Sequence, residues 1–347
     1  MELLTELLMI AQPVKQLDFL GVEKRRRELS AEGDPLEVLA RVIPWESFRR
    51  GLNAALGRDK VKTGRPPMDV VKMLKLLVLQ HLYNLSDFQA SYQLRDRISW
   101  QRFVGIELGE VVPDEKTLWA FRERLIQADA IEETFYWFNR HLREQGFAAK
   151  GGTLVDATII ETPIRRATDG GTTTQEKAQR DDDATWVKKN NLSFYGYKNH
   201  VAVDAEHKLV QCYDVTPCST HDSQCSELLL DTPNESPENY ADSAYRSQRN
   251  ELLCIAIGKV SRIHYKATRG KPLHPELERR NGQRSKTRAR VEHVFGAQKN
   301  DQNMRIIRTI GLARARAKIG LANLVYNMRR FAYLMTNPPP NLTPITG

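Results

Sequence analysis

Hydrophobic positions recur at two different periods along this chain, and the change of period divides it. Up to about Phe147 the spacing is helical: Val70, Met73, Leu74, Leu77, Val78 and Leu82 form one such run, and Leu118, Phe121, Leu125 and Ile126 another. Breakers precede both. Gly64-Arg65-Pro66-Pro67 interrupts the chain before the first run and Pro113-Asp114 before the second, where Asp114 is suited to cap a helix N-terminus. Between Gly146 and Gly152 the pattern changes. Thr153 to Ile160 is short and β-branched, a strand with one acid, Asp156, in its middle. The polar stretch 165–191 predicts a loop. Strand-like runs follow at Tyr195 to Asp204 and Lys208 to Thr216, joined as a hairpin. Asp222 to Leu230 reads as a helix, Asn239 to Asp242 as a fourth strand, Ser247 to Ile257 as a helix and Lys259 to Tyr265 as a fifth strand. Two helices, about Ser285 to Lys299 and Leu312 to Met335, close the pattern before a proline-rich tail.

This order predicts an α/β chain: an all-helical N-terminal domain over 1–147, then a mixed five-stranded sheet flanked by helices over 148–335, with a disordered tail at 336–347. The strand and helix order of the second part matches the RNase-H-like fold. Short helices carrying Arg on one face suit either a helix-turn-helix DNA reader or a plain helical bundle.

Charge sharpens the picture. The 347 residues carry 52 Lys and Arg against 43 Asp and Glu, a formal net charge of +9. The excess is concentrated: from Lys259 to Arg330 there are 19 Lys and Arg against four acids. One-signed stretches of this kind suit a phosphate backbone. The four cysteines have no C-x-x-C spacing and read as small apolar residues of a reducing compartment. Met1 to Gln16 has no basic leader, and the longest apolar run is too short to span a bilayer. The expectation is a cytoplasmic, nucleoid-associated protein with no membrane partner.

Against that basic background three acids are out of place. Asp156 sits among Leu154, Val155, Ile159 and Ile160, Asp242 ends a short strand, and Glu292 lies between Val291 and Val294 in a run dominated by Arg and Lys. A carboxylate in an apolar strand is costly unless paired or bound to a cation. Three converging on one sheet edge can hold two Mg²⁺ ions through oxygen ligands, an arrangement suited to in-line phosphodiester displacement. Arg288 and Lys299 share a predicted helix face with Glu292, placed to contact phosphates or to form local ion pairs.

With these residues the chain resembles DDE transposases of bacterial insertion sequences, in particular the insertion-sequence-five-like group. The matching blocks are Val155-Asp156-Ala157-Thr158, Ala241-Asp242-Ser243-Ala244-Tyr245, and R-x3-E-x6-K at Arg288, Glu292 and Lys299. Asp183 to Lys189 with Gly196 to His200 looks like the block between the first two acids, and Gly311 to Ala317 with Tyr326 to Arg330 like the closing helices. The resemblance implies metal-dependent cleavage at element ends and transfer of 3′-hydroxyls into target DNA. Asp156, Asp242 and Glu292 would be the catalytic, metal-binding acids, with Mg²⁺ as cofactor and Mn²⁺ as a substitute. Arg288, Lys299, Lys188, Lys189, Lys198, Arg290, Arg65 and Arg122 would contact DNA, and His200, Tyr197 and Tyr245 would neighbour the active site. Trp186 would either stack on an unpaired base or pin its loop. The implied partners are double-stranded DNA, as terminal inverted repeats and target, and further copies of the chain in a dimer or larger synaptic complex. A nuclease that cuts without joining and a catalytically silent DNA-binding regulator are the alternatives.

Overall fold

The computed structural model describes residues 19–58, 66–107, 109–147, 149–164, 180–268 and 270–338. Expectations concerning Arg65, the first part of the polar stretch (165–179) and the tail beyond Pro338 lie outside these residues.

Among the described residues eight α-helices precede the sheet: α1 (Phe19–Ala31), α2 (Pro35–Val42), α3 (Phe48–Ala55), α4 (Val70–Leu82), α5 (Asp87–Asp96), α6 (Ile98–Val104), α7 (Glu115–Gln127) and α8 (Ala130–Glu144). Side-chain caps set several of their starts. Asp34, Asp69, Ser86 and Asp114 each accept a hydrogen bond from a backbone N–H of the following first turn, satisfying donors the helix itself cannot. Helix α4 is apolar on nearly every face and is buried accordingly.

Among the described residues the sheet has six strands, one more than expected: β1 (Thr153–Glu161), β2 (Thr185–Lys189), β3 (Leu192–Asp204), β4 (Val210–Pro217), β5 (Glu238–Ala241) and β6 (Val260–Ser261). Strand β1 lies between β3, antiparallel to it, and β5, parallel to it, with β6 beyond β5. Along its other edge β3 pairs with two strands end to end, β2 over Leu192–Gly196 and β4 over Tyr197–Val203. Strand β2 is the correction: it falls within the stretch read as loop. Asn190 and Asn191 join it to β3, with φ of 50° and 62°. Asn tolerates this left-handed backbone, which matches the twist of a two-residue hairpin turn.

Two further expectations change. The fifth predicted strand contracts to Val260–Ser261, and Asn281 takes over by bonding both the backbone N–H and the carbonyl of Tyr265. The single predicted helix from Ser285 to Lys299 is two. After α9 (Ser226–Leu230) and α10 (Gln248–Ala256), helix α11 (Pro275–Arg288) stops, Ala289 and Arg290 turn the chain, and α12 (Val291–Asn300) begins.

The last helix, α13 (Leu312–Thr336), is buried along most of its length and packs on α2, α4, α8, α12 and β4. One continuous apolar cluster therefore joins the helical part to one face of the sheet. A smaller cluster, including Val155, Ala202, Leu229, Tyr245 and Cys254, fills the opposite face beneath α9 and α10. Among the described residues no helix is long and apolar enough to cross a membrane.

Pairing of β5 with β1 covers only Thr153 to Val155. From Asp156 onward no strand among the described residues pairs with this edge of β1, which is closed again at its far end where Glu161 N–H donates to the Arg305 carbonyl at 2.9 Å and Ile307 N–H to the Glu161 carbonyl at 2.8 Å. A polar cleft opens along this edge.

Candidate active site

Sheet register brings two of the acids together. Val155 is paired with Ala241, so the next residues, Asp156 within β1 and Asp242 just past the end of β5, lie side by side. Asp156 is only 8% exposed. Its Oδ1 accepts from the Ala157 N–H at 2.8 Å, and its Oδ2 accepts from Arg288 Nη1 at 2.6 Å. Burial pushes its carboxyl up to about 6, Arg288 opposing, while the charges of Asp242 and Glu292 push the same way as burial. Asp242 caps the short 3-10 turn Ser243–Tyr245 by accepting from the Ala244 N–H at 2.8 Å. Glu292 stands exposed in the first turn of α12.

All three acids, with Arg288 and Lys299, line one cleft of about 800 Å³. Lys189, Asn190, Leu192 and Phe194 of the β2–β3 hairpin also line it, as do Glu161 and Arg305. Sequence reasoning passed over Glu161, Phe194 and Arg305. Glu161 had a signal, an acid closing the same apolar strand five residues after Asp156. The other two had none, because their place depends on the hairpin and on the segment that caps β1.

The helix break corrects one geometric expectation. Arg288 ends α11 and reaches back to Asp156, whereas Glu292 and Lys299 ride on α12, so the three do not share one helix face. Burial lowers the Lys299 pKa, with Glu292 acting against it.

Hard carboxylate oxygens suit a divalent cation of the magnesium class. The electrostatics suit one too: a buried carboxylate opposed by two neighbouring acids is relieved by local positive charge. Among the described residues, however, no three acidic, histidine or cysteine side chains form a ready-made cluster for an ion. The expected convergence is a shared cleft with Arg288 on Asp156, not a closed cage.

Other candidate residues sort by their partners. Lys188 is exposed on the hairpin next to Lys189; alternation along the strand turns it to the opposite face. Lys198 is buried, its Nζ donating to Asp222 at 2.7 Å and to the Thr220 carbonyl at 2.8 Å, so it is not a surface DNA contact. Arg122 is likewise committed, forked onto Asp87 at 2.6 and 2.8 Å. Arg290 donates to the Ala205 carbonyl at 2.9 Å. Tyr197 is no cleft neighbour: its hydroxyl donates to Asp181, which also accepts from the Gly311 N–H ahead of α13. His200 and Tyr245 are buried together, Nδ1 to hydroxyl at 3.3 Å, with Thr216 on the other ring nitrogen at 2.9 Å. Burial lowers His200 to about 4, leaving it neutral. The Trp186 ring packs on Tyr195 at 5.1 Å yet remains half exposed.

Two family models match this chain. Residues 24–124 match a transposase domain (DUF772), and residues 148–328 match the transposase DDE domain. No solved structure gave a significant match. The second match spans the whole sheet, its acids and the first two thirds of the long closing helix, which is more than half of the sequence: the chain belongs to the DDE transposases.

Proposed function

We propose that this transposase cuts DNA at the ends of an insertion sequence and joins the freed 3′-hydroxyls to target DNA, with Asp156, Asp242 and Glu292 as its catalytic carboxylates. Membership of the family implies a DNA substrate and dependence on a divalent metal. The finer reading is two Mg²⁺ ions held by these three acids, with Mn²⁺ able to replace them. The observation that carries it is the pairing of Val155 with Ala241, which sets Asp156 beside Asp242 on a cleft shared with Glu292. The R-x3-E-x6-K spacing supports placement in the insertion-sequence-five-like group.

Asp156, Asp242 and Glu292 would hold a divalent cation, which would supply Lewis-acid stabilisation of the charge that develops on the scissile phosphate. Asp156 orients the site from a rigid, buried strand, its position held by the Ala157 N–H. Arg288, Lys299 and Lys189 pin phosphate oxygens on either side of the scissile bond, fixing the attacking and leaving groups in line. Leu192 and Phe194 form an apolar wall on the hairpin side of the cleft. We assign the helical part, 1–147, to recognition and assembly, the part from 148 to 335 to catalysis, and a dimer or larger synaptic complex to the active form.

The test is cleavage and joining of a labelled transposon-end duplex in Mg²⁺ by the wild type and by Asp156→Asn. Nicked and joined products that both disappear in the variant are expected. Nicking without joining points to a nuclease, and binding with no metal-dependent chemistry to a silent regulator; either overturns the proposal.

A further inference from the structure

Many guanidinium groups of the helical part are answered locally. Arg49 pairs with Glu46 and Asp69, Arg102 with Asp34 and Glu37, and Arg122 with Asp87. Three are not. Arg50 on α3 and Arg140 and Arg143 on α8 are exposed, line one groove of about 730 Å³, and make no ion pair with a carboxylate among the described residues. Arg143 reaches only a backbone carbonyl, that of Asn139 at 3.4 Å. Among the described residues of the lining Glu133 is the one acid, against three cations. Aromatic rings make part of the floor, Trp137 on Phe48 at 4.6 Å, and Gly51 and Ala54 keep the α3 side low.

Three like charges around one concavity repel each other and concentrate positive potential there, a field suited to an anion. The groove is long enough for an extended anion. On α8 the lining runs from Ala130 to Arg143, about 20 Å of helix at 1.5 Å per residue. That is the length of roughly six nucleotides of one strand of a duplex. The groove is also separate from the cleft. Helix α8 packs on β4, with Asn139 donating to the carbonyls of Val210 and Gln211, and β4 is separated from β1 by β3.

We propose that the α3–α8 groove is a second DNA site, gripping the sugar-phosphate backbone of duplex outside the catalytic cleft through Arg50, Arg140 and Arg143. It rests on the reading of DNA as the substrate. Phosphate contacts carry no sequence information, so the probe is a fluorescein-labelled duplex of arbitrary sequence, titrated by anisotropy over a range of salt concentrations. The proteins are the full chain, Arg50→Ala/Arg140→Ala/Arg143→Ala, and the corresponding triple Lys variant, each checked by circular dichroism and thermal melting. Each lost phosphate contact removes about 0.9 from the slope of log affinity against log salt, so the Ala variant should lose roughly 2 to 3. The Lys variant should keep the wild-type slope, since the contacts are electrostatic. A wild-type slope in the Ala variant, or equal losses in the Ala and Lys variants, overturns the groove and leaves the catalytic reading intact. Failure of the wild type to bind the duplex overturns both.

Discussion

Asp156 shows how a functional residue can be bought at the expense of the fold. Its carboxyl, held up to about 6 chiefly by burial, lies above the 3.8 of an unfolded aspartate. As pH rises the unfolded chain therefore loses this proton first. Between about 4 and 6 the folded state binds more protons, so this residue's contribution to stability falls with rising pH and is flat above the window. Two pH units correspond to about 3 kcal/mol. Asp156→Asn, melted with metal chelated at pH 7, should unfold several degrees above the wild type while being unable to cut DNA. The two midpoints should meet near pH 4. A lower midpoint for the variant at pH 7 would mean that the Arg288 ion pair outweighs burial. His200 works in the other direction: lowered to about 4, it contributes above 6.5 and loses that contribution as pH falls. It does so in both proteins, so the comparison cancels it. The acids were legible in sequence because each stood in surroundings where an acid is costly or anomalous. The basic residues were less so. A lysine or arginine does not announce its partner, and Lys198 and Arg122 are spent on Asp222 and Asp87, 24 and 35 positions away.

Elements were read best where one period ran unbroken. The β1 run, the β3–β4 hairpin and the long α13 stand close to where their hydrophobic patterns put them. Strand β2 was missed because Thr185, Lys188 and Lys189 make it polar, as an exposed edge strand is; only the Asn190-Asn191 turn marked it. The break at Ala289-Arg290 carries neither Gly nor Pro, so nothing in the residue types separates α11 from α12. One glycine does declare its role once the strands are paired. Gly196 sits opposite Glu161 where β3 passes from β2 to β4. A Cβ there would overlap the carbonyl oxygen of Ile160. Gly196→Ala must therefore push β3 away from the end of β1, the strand that lines the cleft. Overpacking of this kind costs about 1–3 kcal/mol. The expected outcome is a lower denaturation midpoint together with weaker cleavage at saturating DNA. Unchanged cleavage in a destabilised variant would separate this junction from the geometry of the site.

At the scale of the whole molecule, the helical part and the sheet are joined through α13, and the joint is partly polar. Asn327 lies fully buried in that helix. Its Oδ1 accepts from the Val210 N–H at 2.9 Å, and its Nδ2 donates to Asn139 at 2.8 Å and to the Val210 carbonyl at 2.7 Å. Asn139 on α8 donates to the same strand. One turn earlier, Asn323 bonds Asn199 of β3 and Gln298 of α12. These amides tie four elements to α13 at fixed registers, where an apolar contact would tolerate sliding. Asn327→Leu conserves approximate volume but leaves the Val210 N–H and the Asn139 amide oxygen without this partner. At about 1–3 kcal/mol for each buried group left unsatisfied, the loss should be several kcal/mol. Because both layers share one apolar cluster, the loss should lower the midpoint of a single transition seen alike by far-ultraviolet dichroism and by tryptophan fluorescence, which in this chain reports mainly on Trp45, Trp100, Trp119 and Trp137 of the helical part. If the fluorescence transition stayed at its wild-type position while the dichroism split in two, the helices and the sheet would be folding as separate units, and α13 would belong to the sheet alone.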